Sequence, residues 1–169
     1  MSEFDTQKGK YVTFQSGNEF YGVNIRYVNE IIVYQEITEI PESADYVKGL
    51  INLRGKIIPV VDVRLRFKQE PIPYTDRTCI IVIQFEEYVV GLIVEKIAEV
   101  VEIQDENILP SPSIGKNDAS GKNKFVSGIG KVGDDVKLIL DPERLLRDDD
   151  YKVIEKTKNE ENLEGETNE

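Results

Sequence analysis

Residues 46–67 read YVKGLINLRGKIIPVVDVRLRF, and residues 125–146 read FVSGIGKVGDDVKLILDPERLL. Set side by side without a gap, they match Val47 with Val126, Gly49 with Gly128 and Asp62 with Asp141, at an offset of 79 residues. Upstream, EFYGVNIRYVNEII (19–32) lies on YVVGLIVEKIAEVV (88–101) at an offset of 69, with Gly22 on Gly91 and Glu30 on Glu99. The second copy therefore carries ten extra residues, in the loop PSPSIGKNDASGKNK (110–124). Apolar, glycine and acidic positions agree together and in order. The chain is read as two copies of a β-rich unit of about 60 residues, each too small to bury an ample core alone. The copies are expected to pack together with a groove between them.

The apolar runs around these blocks are short, rich in Val, Ile, Tyr and Phe, and broken by Gly, Asn and Asp. Strands are expected over 10–16, 19–25, 30–34, 50–53, 56–62, 78–85, 88–94, 100–103, 125–132 and 136–141, the spacing of an all-β barrel or sandwich. Gly17–Asn18 and 133–135 mark hairpin turns, and Glu86–Glu87 joins two strands too tightly for anything else. Short helices are expected over 26–30 and 95–99. The body spans 9–147, with one lobe mainly 19–77, the other mainly 78–147, and strand 10–16 bridging them. Residues 148–169 hold nine acidic residues and three Lys without apolar periodicity, and are expected to form a solvated, disordered tail.

Composition narrows the function. The formal net charge is −11, which repels phosphate backbones and argues against nucleic acid as a partner. There is no His, so the commonest general base and metal ligand are missing, and no Ser–His or Cys–His pair can be written. No cofactor is implied. One Cys, Cys79, permits no internal disulfide and fits a reducing cytoplasm. No apolar run reaches the roughly 18 residues of a membrane span, so direct membrane insertion is not expected.

Three motifs have chemical readings that fail on context. Asp62 ends an apolar strand, as the phosphoacceptor of a receiver domain does, but a receiver needs parallel strands alternating with long helices. Asp141 stands at the same place before Pro142–Glu143, the pattern of a helix N-cap, so Asp62 and Asp141 are both read as caps. GKNDASGK (115–122) has five residues between its glycines and Asn123 where a phosphate loop needs Ser or Thr; it reads as a surface loop. Glu86/Glu87 and Glu102/Asp105/Glu106 have no spacing that specifies a carboxylate pair or a cation site, and read as solvated faces. Arg54 falls with Gly55 at a hairpin turn. It is either a solubilising turn residue or a docking Arg whose planar fork holds a partner's carboxylate or carbonyls. From the residues alone, this is a two-lobed β module without evident catalytic chemistry.

GLINLRGKIIPVVDVRLRF resembles the signature of the CheW chemotaxis coupling proteins: an apolar strand, NLRG, then a Pro-containing strand ending in D-V-R. YGVNIRYVNEI followed by EIP, then YTDRTCIIVI, then VVGLIVEKIAEVVEI, match the same family in order over roughly 9–147. The resemblance implies two SH3-like five-stranded barrels and a scaffold joining chemoreceptors (methyl-accepting chemotaxis proteins) to the regulatory domain of the histidine kinase CheA, in the cytoplasm at membrane receptor arrays. It implies that Arg54 serves coupling, and that Val28, Glu30 and Lys48 lie on or beside the kinase-facing lobe. Ile25, Ile80 and Ile97 are expected to line an apolar groove for the receptor's hairpin tip, and Ile114 to make an apolar contact that closes rings. A detached regulatory domain of a sensor kinase, or a hydrolase with a carboxylate pair in the inter-lobe groove, remain the alternatives.

Overall fold

The structure, a computed structural model, describes residues 9–41, 44–110 and 125–145; Ile114, the rest of loop 111–124 and the tail lie outside them. Among the described residues eleven strands form: β1 (Lys10–Ser16), β2 (Glu19–Asn24), β3 (Val28–Val33), β4 (Val47–Leu53), β5 (Lys56–Asp62), β6 (Cys79–Phe85), β7 (Tyr88–Val94), β8 (Lys96–Glu102), β9 (Ile108–Pro110), β10 (Val126–Val132) and β11 (Asp135–Leu140). One α-helical turn, α1 (Val63–Arg66), follows β5, and 3-10 turns occupy Ile25–Tyr27, Asp105–Asn107 and Pro142–Leu145. The strands make a six-stranded sheet in the order β8-β1-β2-β11-β10-β9 and a five-stranded sheet in the order β3-β6-β7-β5-β4.

Hydrogen bonding bears the repeat out. Val60 pairs with Gly91 in parallel in one sheet, and Ile139 with Gly22 in the other, positions that the two offsets make equivalent. The same register shift falls between Val47 and Gly49 and between Val126 and Gly128. The Asp62 amide donates to the Tyr46 carbonyl (2.7 Å), and the Asp141 amide to that of Phe125 (2.9 Å). The repeat also reaches further back than the sequence comparison took it. Phe14 pairs with Ile97 as Ile83 pairs with Val28, so β1 is the counterpart of β6.

The sheets do not divide at 77/78. The β1–β2 hairpin of the first copy lies in the six-stranded sheet with β8–β11, and the β6–β7 hairpin of the second lies with β3–β5. Each lobe is thus completed by the other copy's first hairpin, and β1 is a full member of one sheet rather than a bridge. The exchange also places the core. Val12, Phe14, Tyr21 and Val23 from one sheet meet Ile81, Ile83, Val90 and Leu92 from the other in one buried cluster between the lobes. The opposite faces of the same strands fill each lobe: Ile51, Ile58, Val60, Ile80, Val82 and Ile93 in one, Tyr11, Val101, Ile103 and Ile139 in the other.

The two expected helices are largely replaced by strands. Residues 96–99 enter β8, with Glu95 at the bend before it, because a helix of one and a half turns is hard to nucleate, whereas pairing with β1 supplies a ladder. At 26–30 only the 3-10 turn Ile25–Tyr27 forms, with Asn24 Oδ1 accepting from the Arg26 amide at 3.0 Å; β3 then begins at Val28. Both expected caps are present. Asp62 Oδ1 accepts from the Arg64 amide at 2.9 Å, and Asp141 Oδ1 from the Glu143 amide at 3.0 Å.

Candidate functional site

The β4–β5 hairpin closes on Arg54 (φ 53°) and Gly55 (φ 88°), two successive left-handed residues. That is the requirement of a tight two-residue hairpin whose twist suits its strands. Asn52 Oδ1 accepts from the Gly55 amide at 2.9 Å and fixes the turn. Among the described residues, Arg54 is one of three non-glycine residues with positive φ, with Lys68 and Glu86. Its counterpart in the second copy is Gly133, also left-handed (φ 61°). Left-handed geometry costs a residue with a Cβ about 1–2 kcal/mol. At the same turn position one copy uses the residue that adopts it freely, and the other uses an arginine.

The side chain extends from this turn across the open edge of the lobe. Arg54 Nη2 forms an ion pair with Glu30 Oε2 from β3; the Arg54 side chain is 71% exposed and that of Glu30 28%. An exposed pair of this kind adds at most about 1 kcal/mol to stability. The other Glu30 oxygen, Oε1, is buried and has no hydrogen-bond partner among the described residues. Beneath the pair lies an open basin of ≈ 400 Å³. Leu53, Ile58, Val82 and Val89 form its apolar lining, and Asn29, Lys56 and Gln84 its polar rim. This is a place where a side chain can be received, with a cation and an anion at the entrance.

The other expected site residues divide into groups. Ile25, Val28 and Ile97 are half-buried and pack against the core shared by the lobes, so each leaves part of its side chain at the seam. Lys48 is half-buried on β4 between Val47 and Gly49. Ile80 is 0% exposed within the core of the five-stranded lobe and cannot line a surface groove. The alternation of β6 explains this: Ile81 and Ile83 face the other lobe, while Ile80 and Val82 face inward. Ile114 lies outside the described residues. Sequence reasoning missed the basin residues Leu53, Ile58, Val82 and Val89. The signal that could have found them was the repeat itself, which sets Arg54 on Gly133, Ile58 on Lys137 and Val89 on Phe20.

A second polar cluster ties the lobes together. Glu95, where the chain passes from β7 to β8, accepts from the Gly17 amide (2.6 Å) through one oxygen and from Arg64 Nη1 (3.0 Å) through the other. Gly17 belongs to the tip of the β1–β2 hairpin and Arg64 to α1, so one carboxylate holds elements of both lobes. Ser16 Oγ donates to Gln69 Oε1 at 2.8 Å beside it. All the groups have partners in the fold, which makes this a structural latch. Among the described residues no group of His, Cys, Asp and Glu side chains could hold a metal ion, and no helix is long and apolar enough to cross a membrane.

A family model described as the CheW-like domain matches residues 10–150. The chain is 32% identical over 151 residues to the chemotaxis protein CheW of Klebsiella aerogenes, with 89% of each chain covered. It is 33% identical over 135 residues to the probable chemotaxis protein CheW of Rhizobium etli, covering 80% of this chain and 85% of that one. Among solved structures, the crystal structure of the scaffolding protein TtCheW from Thermoanaerobacter tengcongensis matches with a TM-score of 0.71 at 36% identity, over 79% of this chain and 88% of that one. The two sheets are accordingly two SH3-like lobes, as the resemblance implied.

Proposed function

The chain belongs to the CheW-like family of chemotaxis scaffold proteins, and from that premise we propose that it is a non-enzymatic adaptor coupling chemoreceptors to the histidine kinase CheA. At residue level the reading rests on Arg54. A left-handed arginine at a turn where the repeat has glycine, 71% exposed and held by Glu30, is poorly explained by stability and well explained by a partner. Its guanidinium is presented from a short, fixed turn, so little freedom is lost when a carboxylate or carbonyl binds it. Val28 and Lys48 are proposed to border the same kinase-facing surface. The exposed parts of Ile25 and Ile97, at the seam, are proposed to meet the receptor tip. The adaptor would work at the cytoplasmic side of receptor arrays, held there by its partners.

Reconstitution tests this. Purified kinase, receptor signalling fragments and this protein should together phosphorylate a response regulator faster than kinase and receptor alone. Arg54→Ala should lower that stimulation at least about tenfold if Arg54 is an interface anchor, with an unchanged melting temperature. Equal stimulation by wild type and variant would remove Arg54 from the reading, and no stimulation by wild type would remove the reading itself.

A further inference from the structure

Val60 pairs with Gly91 and Ile139 with Gly22, so each copy gives the other the strand contact it receives. That reciprocity is the pattern of an approximate two-fold axis, and contacts along the seam can be compared as counterparts. Arg66 marks the axis. Its counterpart at the 79-residue offset is Leu145, and Arg66 Nε donates to the Leu145 carbonyl. The guanidinium carbon lies between two rings that are themselves counterparts, 4.6 Å from the centre of Tyr46 and 4.3 Å from that of Phe125. Arg66 is 6% exposed, so α1 of one lobe and the Pro142–Leu145 turn of the other meet in a buried central contact.

The two ends of the seam differ. At one end the Glu95 latch takes the Gly17 amide at the tip of the β1–β2 hairpin and Arg64 of α1, and so joins the lobes. At the other end the tip of the β6–β7 hairpin is built alike: Glu86 (φ 54°) stands where Gly17 (φ 64°) does, in a turn of the same length. The offsets put Arg26 in the place of Glu95 and Glu143 in that of Arg64, so the charges are reversed. A guanidinium only donates, so Arg26 cannot take the Glu86 amide as Glu95 takes that of Gly17. Arg26 turns to its neighbour instead. Its Nη2 donates to the Tyr27 hydroxyl at 2.9 Å, its guanidinium carbon lies 4.8 Å from the centre of that ring, and the residue is exposed.

We propose that Glu95 is a positioning residue for coupling. It latches the lobes at one end of the seam, Arg66 holds the centre, and relative movement of the lobes is confined to the Arg26 end. The inference rests on the adaptor reading and names how its two lobes communicate. A receptor at the seam changes the opening of the Arg26 end, and the turn Ile25–Tyr27 carries that change into β3, whose first residue is Val28. Packed interfaces move in this way by small rigid-body steps, not by continuous deformation. Without the latch both ends yield together, so the partners still bind but the change at one lobe no longer reaches the other.

Native-state hydrogen exchange of the purified protein gives the first reading. Corrected for intrinsic rates, the Gly17 amide is expected to exchange at least about tenfold more slowly than the Glu86 amide at the equivalent turn. Equal protection of the two overturns the unequal seam, whatever the protein's function. Glu95→Ala is then compared with wild type at a temperature where both are folded. Its affinities for the kinase regulatory domain and for a receptor signalling fragment, measured by titration calorimetry, are expected to stay within about twofold, while receptor-dependent stimulation of the kinase falls at least about tenfold. Should Glu95→Ala fail to fold, Glu95→Gln, which keeps an acceptor for Gly17 and gives up the charge facing Arg64, is read in the same way. Unchanged stimulation in the folded variant overturns the positioning role. So does a loss of affinity as large as the loss of stimulation, which makes Glu95 only a support of a binding surface. No stimulation by the wild-type protein overturns the adaptor reading, and the exchange comparison still decides whether the seam is latched at one end alone.

Discussion

The Tyr74 hydroxyl donates a hydrogen bond of 2.7 Å to Asp62 Oδ2 while Asp62 Oδ1 caps α1. Asp62 is 5% exposed, so both oxygens of a buried carboxylate are occupied by the fold. Tyr74 in turn packs its ring at a 39° tilt against Tyr34, ring centres 4.7 Å apart, so one aspartate pins both a helix start and the segment returning to β6. Asp62→Ala should remove the cap and strand the phenol, lowering stability by about 2–3 kcal/mol. Asp62→Asn should cost less than half of that, because it keeps an acceptor at the cap. Urea denaturation measures both. Acetyl phosphate should leave the protein unmodified by mass; a phosphate adduct lost in Asp62→Asn would make Asp62 a phosphoacceptor after all.

Burial holds the Tyr74 phenol well above the ordinary tyrosine value, with the Asp62 hydrogen bond adding to the effect. Tyr21 is raised in the same way, first by burial and then by its 2.6 Å hydrogen bond to Glu19. An acid whose folded pKa is raised contributes stability that is intact below its unfolded pKa, about 10 for tyrosine, and is lost as pH rises above it. Stability should therefore fall from about pH 10 upward. Tyr74→Phe should be less stable at pH 8 but should lose less between pH 8 and pH 11. Urea midpoints at the two pH values give the comparison, and parallel losses in wild type and variant would contradict it.

Arg54→Gly separates backbone strain from partner chemistry. Glycine adopts φ 53° freely, as Gly133 does at the equivalent turn. The variant should melt at or slightly above the wild-type temperature, gaining up to about 1 kcal/mol. It should still lose kinase stimulation as Arg54→Ala does. A fall in melting temperature would mean that the Glu30 pair contributes more to the fold than its exposure indicates.

Gly49 has φ 146°, and a Cβ placed on it would lie 2.0 Å from the Thr38 carbonyl oxygen. Thr38 and Leu50 exchange backbone hydrogen bonds there, so the neighbour cannot retreat without breaking a ladder. Gly49→Ala should cost more than about 3 kcal/mol. Its counterpart Gly128, where the nearest atoms stand 3.0 Å and 3.2 Å away, should tolerate alanine better. Equal losses in the two variants, measured by denaturation, would show that the copies are under the same constraint.

Glu95→Gln keeps an acceptor for the Gly17 amide and removes the charge facing Arg64. The pair is only 15% and 20% exposed, so screening is limited and a loss of about 1–3 kcal/mol is expected. The Gly17 amide should stay protected from hydrogen exchange in Glu95→Gln and become labile in Glu95→Ala. Protection in both variants would mean that the shared core alone holds the hairpin tip.

By itself the sequence determined the all-β class, most strand positions, the two caps and the repeat, because each is local. Period-two alternation, turn residues at hairpins and Asp before a helical turn act within a few residues of chain. It also carried the family, through ordered motifs. What it could not determine was which hairpin completes which lobe. The deciding contacts are the parallel pairings β5 with β7 and β2 with β11, which join segments far apart in the chain, and each hairpin could in principle satisfy either partner. The same blindness put Ile80 on a surface. Both faces of β6 are apolar, and only the placement of the second lobe makes one face the seam and the other the interior. The basin beneath Arg54 likewise exists only because β3 and the β4–β5 turn, 24 residues apart at Glu30 and Arg54, are brought to the two sides of one open mouth.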